Sequence, residues 1–318
     1  MLSRRDFEKI QRETGFNLDL LEKVYHLTRI LYAIQQEELL SKNLTLKGGT
    51  ALQFLYLGLS RLSIDIDLNY TGSIAKEDML EIRPSIEKSI INLGQTLRYN
   101  VKERDSSYIL SRHSFQYSTI RNTKDHIKIE INYLDRLPLG INETKKFPLM
   151  FPDIPIFSVA TYSLEELIAQ KTKASIERSE PRDTYDLYCL SKQNTDINKT
   201  RTYATVYYCM SKPEKLTDII KKIREFDLEK IRQEIRQFIR SDEKLDAEKI
   251  RNNAADFMKL ILSFTDDEKK FIEAFYKERK IIPEFLFKEK SKLEGHPTLL
   301  HMLHELEMKR DSKRKQAK

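Results

Sequence analysis

Residues 46–70 read LKGGTALQFLYLGLSRLSIDIDLNY, and two features of this stretch limit what the chain can become. Gly48 and Gly49 stand side by side in a chain that has only 8 glycines among 318 residues. A glycine pair ends a strand and lets backbone come close to a neighbour or a ligand. The flanks are regular. Residues 44–46 suit a short entering strand, and residues 50–57 have helical spacing, with Thr50 as N-cap and Gln53 three residues on, a capping-box arrangement. Residues 63–70 then alternate apolar and polar, the pattern of a strand.

On such a strand successive side chains point to opposite faces. Ser63, Asp65 and Asp67 share one face; Ile64, Ile66 and Leu68 share the other and can enter a core. Two neighbouring carboxylates repel unless positive charge sits between them. A hard divalent cation suits them, Mg²⁺ above all, with Mn²⁺ as an alternative. Residues 126–132, HIKIEIN, repeat the logic: three isoleucines on one face, Lys128, Glu130 and Asn132 on the other. If this strand pairs beside 63–70, Glu130 becomes a third carboxylate at the same place, and three carboxylates could hold metal around a triphosphate and activate an attacking hydroxyl. Glycines that open a helix supply the complement, because backbone N–H groups and the helix N-terminus favour a phosphate. Each feature alone has a plainer meaning. A glycine pair is often a turn, and charged residues on alternate strand positions often face solvent. The ordered combination is far more specific.

Further along, residues 163–190 read SLEELIAQKTKASIERSEPRDTYDLYCL. Lys171 could reach a phosphate as a point charge, while Lys173 falls on another side of the same helix. Arg182, Asp183 and Asp186 open the next helix, which begins near Pro181, a favoured first-turn position. Asp183 and Asp186 could equally serve that helix's dipole.

The rest of the chain organises around these motifs. Residues 17–41 and 76–98 read as helices. YNVKER, SYILSR, SFQYSTI and HIKIEINY read as consecutive antiparallel strands, and Pro138, Pro148, Pro152 and Pro155 mark a connecting segment. After residue 194 the strand signal fades and amphipathic helical stretches follow. The expected division is a domain over 1–194 with its core at 40–190, helices over 195–309, and a basic tail at 310–318 without fixed structure.

Composition excludes several classes. The two cysteines, Cys189 and Cys209, cannot make a disulfide framework or a zinc site of their own. No apolar run approaches the ~20 residues of a membrane span, and the first residues lack a signal peptide's apolar stretch. The expectation is a soluble cytoplasmic protein with no membrane partner. The net charge of +7, most of it after Ser211, permits an acidic partner such as RNA.

Taken together, Gly48-Gly49-Thr50-Ala51-Leu52, Arg61-x-Ser63-x-Asp65-x-Asp67-Leu68, Glu166-x-x-x-x-Lys171 and Arg182-Asp183-x-Tyr185-Asp186-Leu187 resemble the nucleotidyltransferase toxins of the AbiEii/AbiGii type over about residues 40–190. The resemblance implies an α+β fold: a polymerase-β-like nucleotidyltransferase domain with a mixed sheet, followed by a C-terminal helical bundle. It implies the toxin of a toxin–antitoxin or phage-defence system, with a cognate antitoxin from the same operon. It further implies Mg²⁺-dependent transfer of a nucleotide from an NTP to RNA, foremost a tRNA 3′ end. By position, Asp65 and Asp67 match the metal-binding pair, Lys171 the functional lysine and Asp183 the downstream acid. Ser63 matches a serine near the metal in some relatives. Many nucleotidyltransferases have Gly-Ser where this chain has Gly49-Thr50.

The expected site therefore comprises Asp65, Asp67, Glu130, Lys171 and Asp183 for catalysis, with Asp65, Asp67 and Glu130 on the metal. Gly48, Gly49, Thr50, Ser63, Lys171 and Arg182 take the nucleotide. Two alternatives stand beside it: transfer of a nucleotide to a protein hydroxyl, and a non-enzymatic nucleotide-binding module.

Overall fold

The computed structural model describes residues 2–104, 106–178, 180–211, 215–288 and 292–316. The chain divides into two compact units, Met1–Leu164 with Asp227–Ala247, and Glu165–Phe226 with Glu248–Lys318.

The first unit begins with helices α1 (Arg4–Thr14), α2 (Leu18–Gln36) and α3 (Glu38–Asn43), then strand β1 (Leu44–Lys47) and helix α4 (Gly48–Leu55). Strand β2 (Asp65–Tyr70), helix α5 (Lys76–Thr96) and strands β3 (Asn100–Arg104), β4 (Leu110–Ser118), β5 (Lys124–Asn132), β6 (Glu143–Lys146) and β7 (Ser158–Thr161) follow. The strands form one seven-stranded mixed sheet in the order β3-β4-β5-β2-β1-β7-β6. β2 runs parallel to β5 and β1 parallel to β7; the remaining pairs are antiparallel. Alternation explains how the sheet sits. Ile127, Ile129 and Ile131 of β5 are fully buried on the face where α2 and α5 pack. Val24, Leu27, Leu31 and Ile34 of α2 and Ile86 and Ile90 of α5 complete that core.

Several expectations change in detail. SYILSR and SFQYSTI are not two strands but the single strand β4, because its residues pair without a break against β5 from Leu110 to Ser118. The proline-marked segment contains β6, and β7 follows it; β6 pairs with β7, and β7 also pairs with the distant β1. The N-cap of α4 is Lys47 rather than Thr50, and its side chain makes no capping bond. Thr50 lies inside the helix, so the expected capping box does not form.

The second unit is helical: α6 (Leu164–Glu177), α7 (Pro181–Leu190), α8 (Ile197–Cys209), α9 (Leu216–Arg224), then α11 (Ala247–Ile261), α12 (Asp266–Glu273) and α13 (Pro297–Gln316). The intervening α10 (Leu228–Arg236) belongs with the sheet. The reason is visible in backbone bonds. Leu62 N–H donates to the Phe238 carbonyl and Ser241 N–H to the Gly15 carbonyl, each at 2.8 Å. Residues 165–194 thus pack with the helical unit and 227–247 with the strands, where the sequence places a single division at 194. α13 is helical through Gln316, beyond the start of the basic tail expected at residue 310; residues 317–318 lie outside the described residues. Among the described residues no helix is long and apolar enough to cross a membrane.

Candidate active site

The sheet unit assembles its chemistry where β1, β2 and β5 lie side by side. In register, Lys47 pairs with Asp67, Asp67 with Glu130, and Asp65 with Lys128. Residues directly opposite on paired strands project to the same face. Asp65, Asp67 and Glu130 therefore share one face, with Lys47 and Lys128 among them.

The glycine pair fits against these carboxylates. Gly48 has φ +69°, a left-handed conformation that disfavours any side chain, and a Cβ there would collide with Asp67 Oδ2. At Gly49 a Cβ would meet Ser63 Oγ at 3.0 Å and Arg61 Nη2 at 3.1 Å. The start of α4 is thus pressed onto Asp67 on one side and onto Arg61 and Ser63 on the other. Arg61 and Ser63 are buried. The Arg61 guanidinium donates to the Leu62 carbonyl (2.8 Å), and its backbone N–H donates to Gln53 Oε1 (3.1 Å). Thr50 is fully buried; its hydroxyl donates to the Asp65 carbonyl at 2.5 Å and lies 3.0 Å from Ser63 Oγ. The threonine hydroxyl expected to face a phosphate instead ties α4 to the start of β2.

Electrostatics separates the three carboxylates. Burial pushes the Asp67 carboxyl above its ordinary value; Asp65 and Glu130 push the same way, against Lys47 and Lys128. Burial also raises Glu130, but hydrogen bonds and charge from Lys128 and Arg112 outweigh it and hold the carboxyl low. Glu130 receives Arg112 Nε at 2.7 Å and Lys128 Nζ at 2.8 Å. Among the described residues no group of three or more His, Cys, Asp or Glu side chains is arranged to hold a metal ion. The donor set fits a hard cation that takes one or two carboxylates and completes its shell with substrate oxygens, as Mg²⁺ commonly does. Asp65 and Asp67 would be those carboxylates. Glu130 is in register but committed to its two cations.

In the helical unit, Lys171 is 6% exposed and its ammonium lies 2.8 Å from both Asp183 Oδ1 and Asp186 Oδ2, which are 3% and 0% exposed. Arg178 Nε completes the cluster at 2.9 Å from Asp183 Oδ2. Burial would raise the Asp183 carboxyl, but Lys171 and Arg178 together hold it below its usual range. Lys171 and Asp183, both singled out by the motifs, are joined directly. Asp186 is the second partner, and Arg178 adds a guanidinium to Asp183. The motifs alone assign no role to Arg112, Arg178 or Lys47. Lys128 is in view from its alternation with Glu130; Arg112 emerges only from the β4–β5 register.

The family described as "Nucleotidyl transferase AbiEii toxin, Type IV TA system" matches residues 29–277. The chain belongs to the AbiEii nucleotidyltransferase toxin family. Among solved structures it is similar to MenT4, a nucleotidyltransferase toxin of Mycobacterium tuberculosis H37Rv, with TM-score 0.60, 14% identity, and coverage of 95% of this chain and 99% of that one. It is also similar to JHP933 of Helicobacter pylori, with TM-score 0.50, 17% identity, and coverage of 83% and 98%. No curated protein matches the sequence. At these identities the likeness shows a shared fold. AbiEii membership makes the chain a nucleotidyltransferase toxin and implies a cognate antitoxin.

Proposed function

We propose that this AbiEii-family enzyme uses Mg²⁺ to move a nucleotide from an NTP to an RNA acceptor, foremost the 3′ end of a tRNA. The observation that carries the reading is the Gly48 turn closed onto Asp67, with Asp65 beside it on the same strand face. Asp65 and Asp67 would hold the ion, which when bound supplies Lewis-acid stabilisation of phosphoryl and leaving pyrophosphate oxygens. Backbone N–H groups at Gly48 and Gly49 open α4 and favour the triphosphate. Ser63 and Thr50 serve by fixing that turn. Glu130 is the third carboxylate and the candidate acceptor of the hydroxyl proton; in either role it must share or exchange a bond to Arg112 or Lys128. By the family resemblance Lys171 is assigned to phosphate charge, with Asp183 orienting Lys171 or Arg182; within the helical unit Lys171 is held between Asp183 and Asp186. An α-phosphoryl bond to the acceptor oxygen forms as the bond to pyrophosphate breaks, and the hydroxyl proton leaves to the carboxylate or to solvent.

The test uses each α-³²P-labelled NTP with Mg²⁺ and tRNA, either intact or with its 3′ diol oxidised by periodate. Label in intact tRNA alone supports the reading and names the donor. Label in oxidised tRNA would move the acceptor away from the 3′ end. Label on protein would replace RNA by a protein hydroxyl.

A further inference from the structure

The sheet has two unlike faces across β3, β4 and β5. One is buried under α2 and α5. The other carries Lys102 and Arg104 from β3, Arg112 from β4, and Lys124 and Lys128 from β5. The strand registers align Arg104 with Arg112 and Glu130, and Lys102 with Ser114 and Lys128. Alternation puts all of these on the face that holds Asp65 and Asp67. Lys102, Arg104, Lys124 and Lys128 are exposed. Among the described residues no carboxylate lies within ion-pair distance of Lys102, Arg104 or Lys124, whereas Arg112 and Lys128 attend Glu130.

We infer that this open sheet face is the docking surface for the acceptor, and that it takes the phosphate backbone of a folded, duplex part of an RNA. The inference rests on the transfer reaction proposed above and adds where its second substrate lies. Three features select the occupant. First, the charge is one-sided: cations dominate from β3 to β5, and acid appears only at β2 and its neighbour Glu130. A polyanion therefore lies over the cations, and its terminal hydroxyl, the one part without phosphate charge, is what the aspartates can tolerate. Second, adjacent strands stand ~4.8 Å apart, so the face spans about 14 Å from β3 to β2, enough for several successive phosphates. Third, the face carries no Phe, Tyr or Trp: beside its cations β3 contributes Asn100, β4 Leu110, the buried Ser114, Gln116 and the exposed Ser118, and β5 His126 and Asn132. Proteins that hold unpaired bases stack them on aromatic rings. A surface of cations and amides instead suits the phosphates and 2′-hydroxyls of an A-form duplex.

The test measures fluorescence anisotropy of a labelled hairpin RNA with a free 3′ end, as a function of salt, for the full chain and for the triple variant Lys102→Gln, Arg104→Gln, Lys124→Gln. These three side chains are exposed and outside the assigned catalytic groups, so folding and Mg²⁺–NTP binding should be unchanged. Each phosphate no longer neutralised lowers the slope of log K against log salt by ~0.9, so the variant's slope should fall by about 2–3 and its affinity by about 10-fold or more. Equal affinity and slope in variant and parent would overturn the inference, as would a parent that binds Mg²⁺–NTP but no hairpin. An acidic polypeptide that binds the parent but not the triple variant, with the hairpin ignored, would assign the face to a protein and overturn it as well. Failure to bind Mg²⁺–NTP at all would instead remove the proposed reaction, which a separate nucleotide titration reads.

Discussion

Asp67 is where function and stability pull apart. Burial and two neighbouring carboxylates disfavour its charge, so Asp67→Asn should leave the ligand-free protein as stable as the parent or more so, with an equal or higher Tm. Transfer should fall by about 1,000-fold, equivalent to ~4 kcal/mol of transition-state stabilisation. A variant that unfolds, or one that keeps its rate, would contradict this. Gly48 is the counterpart. Gly48→Ala asks an L-residue to hold φ +69° and places its Cβ against Asp67; the left-handed backbone alone costs about 1–2 kcal/mol, and displacement of Asp67 should remove activity. Denaturant midpoints beside rates check both parts. His26 gives a pH signature away from the site. It is buried, with Nδ1 2.8 Å from the Tyr99 hydroxyl and its ring against Tyr117. Burial, helped by the Arg29 charge, pushes its pKa down to about 3. Its contribution to stability is complete above the unfolded value of ~6.5. As pH falls from there toward 3, the unfolded chain takes up a proton that the folded chain refuses, and up to about 1.4 kcal/mol is lost per pH unit. Urea midpoints at pH 7 and pH 5 should therefore fall more for the parent than for His26→Gln; equal falls would contradict the assignment.

Lys171 joins two helices through buried charge. Removing it leaves Asp183 and Asp186 in a dry cluster with Arg178 on one side, and uncompensated buried charge costs about 3–5 kcal/mol. Lys171→Met should lose stability of that order, and Lys171→Met with Asp186→Asn should recover much of it. Activity that stays lost in the recovered double variant would separate the lysine's chemical role from its structural one; activity that returns would leave it structural. The same contrast between local and distant forces explains what is legible in the sequence. Gly48-Gly49, Asp65, Asp67 and the Glu130 strand are legible because glycine pairing and two-residue alternation are local signals. Lys171 and Asp183 are legible as motif residues, but their ion pair is not. Thr50 reads as a cap, and is not one, because its hydroxyl's partners, Ser63 and the Asp65 carbonyl, lie outside its helix. β6 and β7 are four residues each and exist through their neighbours. α8 is hard to read for a different reason: INKTRTYATVYYC is rich in β-branched and aromatic residues, which are poor helix formers, and Ala204, Val206, Tyr207 and Cys209 are held in it by burial. Of the two cations on Glu130, Lys128 is legible from alternation, while Arg112 comes from strand register, which no single stretch of sequence contains.

Over the full chain, the sheet unit is built from two separated segments. A fragment of residues 1–194 should therefore fail to unfold cooperatively, because it lacks the partners of Leu62 and Gly15 at Phe238 and Ser241. A single sharp transition for that fragment would show that residues 227–247 are dispensable. Family membership makes the chain a nucleotidyltransferase toxin, and the carboxylate pair is the part on which the proposed chemistry depends. The decisive measurement is single-turnover transfer from an α-³²P-labelled NTP to tRNA by the parent chain, Asp65→Asn and Asp67→Asn, with Mg²⁺ titrated from zero. The parent should label tRNA in proportion to Mg²⁺ occupancy, while both folded variants should be about 1,000-fold slower at every Mg²⁺ concentration. Transfer near the parent's rate in either variant, or transfer that is indifferent to Mg²⁺, would contradict the assignment of Asp65 and Asp67 as the metal-holding pair.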